Sequence, residues 1–524
     1  MGDGGRAQRN DAIVDLADVV DESSVGDSGS AGHWPKVQLD GRFSQNLTDV
    51  NGGIMITAEL IRRGAERYAD RTALVYVDGI NEDRALTYRE VNDAANRIAN
   101  VLISRGLTKG KRVALLIGNG PWSLSVDFAC VKAGVTRVPL NGRLSLSEHQ
   151  RMLEETDAAM LIHDEALTSR AAELLAQLPQ ISALGLGVPA AAGGADLLEV
   201  IADVPADDPR VGLDPSDPLM WLYTSGTTGK LKAVEHTQGS YAAIGANILA
   251  NLLSPGRTSS MLHAASLVHA SGTFVVPYWI RGGLSVVLPG FDPKLYVATI
   301  EKYKITEVNL VPTMVGMLFT TGVLDGADTS SLQTIVYGAS PMPRPVLQRA
   351  IDHWGLKLVQ YYGQTEAPLC MTVLDKNDHA DPQLWASCGH PAVDAEIELT
   401  DDDGNAVVDG EIGEIRVRAP FGMSGYANAP QLNVEMLPPG GWIRTRDMAR
   451  RDERGYLYLV DRRSDMIVTG GYNVYPREVE DVLLTHPAVA EAAVVGAPDE
   501  KWVEAVTAFV ALKPGSEVSE AELQ

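Results

Sequence analysis

From Leu86 to about Ala395 the sequence repeats one pattern, a helix-period stretch followed by a short apolar run, and this alternation constrains the fold more than any other feature. Thr87 and Glu90 form a capping-box signature, and Val91, Ala94, Ala95, Ile98, Val101 and Leu102 follow at helical spacing. Gly106 and Gly110 punctuate the chain, and Val113–Ile117 is then an unbroken apolar run, as a strand buried on both faces requires. The same alternation continues through Trp122–Ala133, Val138–Leu140, Leu146–Thr156 and Met160–Ile162. Further strands are expected at Met261–His263, Leu284–Leu288, Val308–Val311 and Thr334–Val336. Strands that alternate with helices are joined by crossovers, so the pattern predicts an α/β fold with largely parallel sheets.

After about Ala395 the texture changes. Glu396–Leu399, Gly413–Val417 and Gly455–Leu459 are short alternating segments between Asp-Gly and Pro-Gly turns, which predicts antiparallel strands of a small barrel or sandwich. The charged stretch Asp461–Asp465 marks a domain boundary, and beyond it Tyr475–Val479 opens a helix and Val489–Val495 reads as a strand. With 524 residues the chain exceeds what one hydrophobic core serves. The expected division is a poorly ordered acidic extension over 1–45, a large domain over 46–461 and a partial C-terminal domain over 462–524.

The formal charge of −24 excludes a duplex-binding surface and an anionic membrane partner, both of which need massed Lys and Arg. It leaves room for a small anion, which a glycine loop and a few cations can hold locally. Cys130, Cys370 and Cys388 have neither disulfide nor metal-ligand spacing, which suits a reducing compartment. No apolar run is long enough to span a bilayer and no signal pattern opens the chain, so the expectation is a soluble, cytoplasmic protein.

The chemistry concentrates in Tyr223–Lys232, which reads Tyr-Thr-Ser-Gly-Thr-Thr-Gly-Lys-Leu-Lys after the apolar strand-like run Pro218–Leu222. Gly226 and Gly229 free the backbone to fold around an anion, and hydroxyls and two lysines surround the turn, as a polyphosphate requires. It is not a Walker loop, since only two residues separate the glycines and Leu231 follows Lys230.

This ten-residue arrangement resembles the phosphate-binding signature of the adenylate-forming superfamily, which includes acyl-CoA synthetases. The resemblance runs from roughly residue 54 to the end, with Lys132–Gly134, Pro139–Leu144 and Val311–Thr313 in the expected order. It implies a large N-terminal domain of two mostly parallel sheets with a small β-barrel-like subdomain, and a small mobile α+β C-terminal domain. It also implies ATP, Mg2+ and coenzyme A, with a small-molecule carboxylic acid as substrate, and is compatible with a homodimer. Residue by residue, Thr224, Ser225, Gly226, Thr227, Thr228, Gly229 and Lys232 would cradle phosphates. His269 would line the acyl site, and Gly338, Ala339 and Ser340 would flank adenine. Within Tyr361–Glu366, Tyr362 would face adenine beside Gly363, Thr365 would contact phosphate and Glu366 would hold magnesium with Thr228. Asp447 would accept both ribose hydroxyls, Arg462 would reach the nucleotide, and Gly470 and Gly471 would press against the pantetheine arm. Thr224, Lys232, His269 and Glu366 are the catalytic set implied.

Several positions depart from the family pattern. Leu231 and Ala233 stand for Pro and Gly, Tyr361 and Val503 for Gly, Arg446 for the Gly before the ribose Asp, and Ser464 for a charged hinge residue. The chain stops at Ala521–Gln524, short of the family's C-terminal lysine, which reads as a truncation; if the chain is shortened there, adenylation is expected to fail or to be very slow while acyl-AMP still binds. Two other functions are weighed: transfer to a carrier protein, disfavoured because no insertion interrupts the large domain, and an acyl-AMP-binding protein without catalysis.

Overall fold

The computed structural model describes residues 55–225, 231–267, 270–462, 465–469, 472–499, 503–513 and 515–523. The expected extension over 1–45 lies outside them.

Two large sheets dominate. The first has nine strands, and its six central ones are parallel, in the order Leu358–Tyr362, Thr334–Tyr337, Glu307–Leu310, Ser260–His263, Leu284–Val287 and Thr72–Tyr76. Antiparallel strands close both edges. The second has eight strands built on the parallel set Pro218–Ser225, Thr136–Pro139, Arg112–Leu116, Met160–Asp164, Ser182–Leu186 and Ala195–Asp196. Leu231–Thr237 pairs antiparallel with Pro218–Ser225 at its other side and carries Gly425–Tyr426 at the edge.

The alternation predicted from Leu86 is thus realised, and it begins one strand earlier, at Thr72–Tyr76. The helix Tyr88–Ser104 starts with the predicted box: the Glu90 amide donates to the Thr87 hydroxyl oxygen, and the Thr87 amide donates to the Glu90 carboxylate at 2.7 Å. Ser145 and Glu148 cap Leu146–Thr156 in the same way. Each such cap contributes about 1 kcal/mol by satisfying amides that the first turn leaves unpaired. Central strands bury nearly every side chain, as Val113–Leu116 do with no measurable exposure, because helices cover both faces of a parallel sheet.

Arg137 lies in this core, 2% exposed, with its Nη1 donating to Asp127 Oδ2 at 3.0 Å and its guanidinium 4.7 Å from the centre of the Tyr241 ring. A buried guanidinium is tolerable only with such partners, and the strand–helix contact here is therefore specified by charge as well as by packing.

The small antiparallel subdomain forms as expected, as an open sheet ordered Glu396–Thr400, Ile412–Arg418, Ile443–Arg451, Leu457–Arg462 rather than a closed barrel. Beyond it, Ile467–Thr469 begins a second four-stranded sheet with Tyr472–Val474, Val489–Asp499 and Val503–Leu512. The helix Pro476–Leu483 packs on this sheet through Leu483 against Ile467 and Val494, and the Arg477 amide donates to Asp461 Oδ2 at 3.2 Å. Among the described residues no helix is long and apolar enough to cross a membrane.

Candidate active site

A cavity of about 580 Å³ opens where the two large sheets and the small one meet. Its wall includes Thr224 and Lys232 from the hairpin, Ala339, Gly363–Glu366, Tyr426, Thr445 and Arg446.

The hairpin positions the phosphate-type residues. Thr224 and Lys232 face each other as a cross-strand pair, and Ser225 pairs with Leu231. Leu231 therefore continues the strand, where a proline would remove a ladder donor. The tip, with Gly226, Thr227, Thr228 and Gly229, lies outside the described residues, as does His269. Lys232 Nζ is 5.9 Å from the centre of the Tyr426 ring.

Glu366 is held from two directions. The Tyr426 hydroxyl donates to its Oε1 at 2.7 Å, and its backbone carbonyl accepts from the Met423 amide at 2.8 Å. The preceding residue is fixed by His236, whose Nε2 lies 2.8 Å from the Thr365 carbonyl oxygen, a distance at which the N–H tautomer donates. His236 has no measurable exposure, and burial pushes its pKa down to about 4, so it is neutral at pH 7. Neither His236 nor Tyr426 stood out in the sequence, where a lone histidine or tyrosine in an apolar segment carries no pattern.

The strand Leu358–Tyr362 delivers the next group. Tyr362 donates its hydroxyl to Asp447 Oδ2, and Gln364 Nε2 donates to the same oxygen at 2.5 Å. Asp447 is 7% exposed and Tyr362 9%. These two residues lie behind the wall that Gly363, Gln364 and Thr445 form. Burial and the neighbouring carboxylate hold the Tyr362 phenol well above its usual range, which keeps it a donor. Gln364, part of the motif but not a predicted site residue, joins the pair. Arg462 sits opposite Asp447 in the antiparallel register, so the two residues implied for the nucleotide share one cross-strand position. Gly470 and Gly471 lie outside the described residues, between strands that pair from Thr469 and Tyr472.

Close approach explains two glycines. A Cβ on Gly338 would lie 2.5 Å from the Tyr361 carbonyl oxygen, and one on Gly363 would lie 2.3 Å from that of Leu369. Next to Gly338, Ala339 adopts a φ of 68° and is exposed in the cavity with Ser340 beside it. Tyr361, standing where the family has Gly, is buried with its ring 6.3 Å from that of Phe274 and narrows the apolar end, where Met220, Leu222, Ile244 and Thr273 line the wall.

No cluster of three or more His, Cys, Asp or Glu side chains suited to a metal occurs among the described residues. A magnesium that takes most of its ligands from substrate phosphates and water needs only one or two carboxylates, and Glu366 with neighbouring hydroxyls supplies hard oxygen donors of that kind.

The described part of the site thus sets a strand hairpin carrying Thr224 and Lys232 beside an apolar chamber, with the buried Asp447 carboxylate behind its wall. Residues 61–427 match the AMP-binding enzyme family model and 478–524 match the AMP-binding enzyme C-terminal domain. The chain is 40% identical over 462 residues to a medium/long-chain-fatty-acid–CoA ligase of Mycobacterium tuberculosis, covering 84% of this chain and 79% of the relative. It is 38% identical over 443 residues to a feruloyl-CoA synthase of an Amycolatopsis species, covering 84% and 86%. The structure of an amide bond synthetase from Marinactinospora thermotolerans superposes with a TM-score of 0.81 at 31% identity, covering 89% and 91%. The chain belongs to the AMP-binding enzyme family.

Proposed function

We propose that the chain is an AMP-forming acyl-CoA synthetase acting on an apolar carboxylic acid, aliphatic or aryl. The observation that carries this reading is the convergence, in and behind one cavity, of the Thr224–Lys232 pair, Glu366, and the Tyr362–Gln364–Asp447 group, with an apolar chamber leading away from them. In the first half-reaction a carboxylate oxygen of the acid attacks the α-phosphorus of ATP, and the bond to the β-phosphate oxygen breaks to release pyrophosphate. Two anions must meet, so the protein's contribution is alignment and fixed positive charge. Thr224 and Lys232, with the loop over 225–229, hold the phosphates. Asp447 takes the ribose hydroxyls and Tyr362 braces it. His269 and Thr273 border the acyl group. Glu366, with Thr228, would hold magnesium, which would supply charge neutralisation for the phosphates.

In the second half-reaction the thiol of coenzyme A attacks the adenylate carbonyl. The thioester bond forms, the acyl–phosphate bond breaks, and AMP and a proton leave. We read 46–461 as the adenylating domain and 462–524 as a lid that turns about Ser464, bringing Gly470 and Gly471 beside the pantetheine arm. The two relatives named as CoA ligase and CoA synthase, together with the uninterrupted large domain, favour the thiol of coenzyme A over a carrier-protein or amine acceptor.

The test is a panel of fatty and aryl acids incubated with the full chain, ATP and Mg2+, followed for pyrophosphate and then by mass spectrometry after adding coenzyme A, a phosphopantetheinylated carrier protein or an amine. The reading expects acid-dependent pyrophosphate and an acyl-CoA product. Pyrophosphate without acyl-CoA, but with acylated carrier or amide, would replace the acceptor. ATP binding with turnover neither of any acid nor of synthetic acyl-AMP supplied with coenzyme A would reduce the chain to a nucleotide-binding protein.

A further inference from the structure

Arg446 breaks two local rules at once. Its φ is 61°, a left-handed conformation that costs a side-chain-bearing residue about 1–3 kcal/mol, and it stands between two site residues, Thr445 and Asp447. A bulge produces it. Arg416 pairs with Arg444 and Glu414 with Met448, so Thr445, Arg446 and Asp447 together oppose the single residue Ile415. Bulges of this kind re-aim side chains, and this one turns Arg446 into the wall of the cavity.

The bulge is itself braced. Thr445 Oγ1 donates to the Ile415 carbonyl oxygen at 2.8 Å, and the Asp447 amide donates to Thr445 Oγ1 at 3.1 Å. The Arg446 amide donates to Oε1 of the buried Glu414 at 3.2 Å. The guanidinium pairs with Glu435 Oε1 at 2.5 Å, and its charge reaches the Tyr426 phenol that holds Glu366. Glu435 is 57% exposed, and an ion pair that open to water is worth only about 0–1 kcal/mol, so this pair by itself does little to hold the guanidinium from a phosphate in the cavity.

We propose that Arg446 is a second polyphosphate-binding cation of this site, contacting the β- or γ-phosphate of ATP from the Tyr426 side of the cavity and complementing Lys232. The assignment rests on the nucleotide reading above and deepens it. Strain held at a cavity wall by three braces, for a residue whose charge faces the same tyrosine as Lys232, is what a functional cation requires and a surface arginine does not. Guanidinium also matches the paired oxygens of a phosphate better than a point charge does.

Equilibrium binding of ATP and of AMP, both with Mg2+, to the full chain and to two variants tests this. Arg446→Gly releases the backbone, and Arg446→Met keeps the bulk without the charge, so a loss common to both isolates the charge. Both variants should bind ATP about 10- to 100-fold more weakly while AMP affinity stays within about twofold, since AMP lacks the distal phosphates. ATP affinity within about twofold of the unaltered chain in either variant overturns the proposal, and so does an equal loss for AMP. Failure of the unaltered chain to bind either nucleotide would instead remove the nucleotide reading itself.

Discussion

His236 offers a sharp physical test of how the Thr365–Glu366 segment is held. The imidazole titrates near 6.5 in an unfolded chain and near 4 in the fold, because burial disfavours its charged form more than the bond to the Thr365 carbonyl supports it. The folded value lies below the unfolded one, so between them the native state binds fewer protons. The stability from this residue is therefore complete above about pH 6.5 and is lost as pH falls toward 4. The drop from 6.5 to about 4 corresponds to about 3 kcal/mol in total, of which about 1 kcal/mol is lost between pH 7.5 and 5.5. His236→Gln removes the titration while keeping an N–H donor. Urea unfolding of the unaltered chain and the variant at both pH values gives the stability gap between them. That gap should narrow by about 1 kcal/mol on going from pH 7.5 to 5.5, as the linkage between protonation and folding requires. His263, also buried with a pKa pushed down to about 4, is present in both proteins and cancels from the comparison. A gap that stays constant across the window would refute the reasoning, because it would mean that His236 titrates alike in the folded and unfolded chains.

Three further outcomes follow from the contacts around the cavity. Asp447→Asn removes the charged acceptor shared by Tyr362 and Gln364 and should weaken both ATP and AMP by about 10- to 100-fold in isothermal titration, the cost of one charged hydrogen bond. Tyr426→Phe deletes the hydroxyl on Glu366 and should raise the Mg2+ concentration for half-maximal pyrophosphate release by about 2- to 10-fold, with AMP affinity unchanged. Asp127→Leu leaves Arg137 charged and buried without its partner and should lower stability by about 3–5 kcal/mol in denaturant unfolding, whereas the double variant with Arg137→Met should recover most of the loss.

The parallel sheets were legible because a strand covered on both faces must be apolar throughout, and Val113–Ile117 or Leu284–Leu288 leave no other reading. Boundaries fell within one or two residues at Thr87, where a capping box marked the start, and at Leu146, where the helical spacing alone did. The strand Thr72–Tyr76 was missed because its position in the first sheet is fixed by Leu284–Val287, more than 200 residues away. The hairpin return Leu231–Thr237 was hidden differently. Its Lys, Glu and His break the apolar run, yet each occupies a position set by the cavity or by its neighbours: Lys232 opposite Thr224, Glu235 on the Trp221 indole at 2.7 Å, and His236 on Thr365.

In the site, the residues that sequence reading assigned are those whose proposed chemistry is their own: a carboxylate proposed for a diol, a lysine proposed for phosphate, a glycine such as Gly363 for close approach. Those it passed over act through another residue, and no local pattern records that. Tyr426 serves Glu366 and His236 serves Thr365, across 60 and 129 residues of chain. Backbone strain is equally silent in a sequence, which shows nothing of the conformations of Ala339, Leu369 and Arg446. They are nonetheless three of the eight non-glycine residues with positive φ among the described residues, and all three line this cavity. Strain of about 1–3 kcal/mol at each persists only where the surrounding structure holds it, and its concentration at this wall ties the conformational cost to the chemistry. Arg446 is the case in which both signals meet, a departure visible in the sequence and an outlier visible in the backbone, and comparing Arg446→Gly with Arg446→Met separates its charge from its conformation.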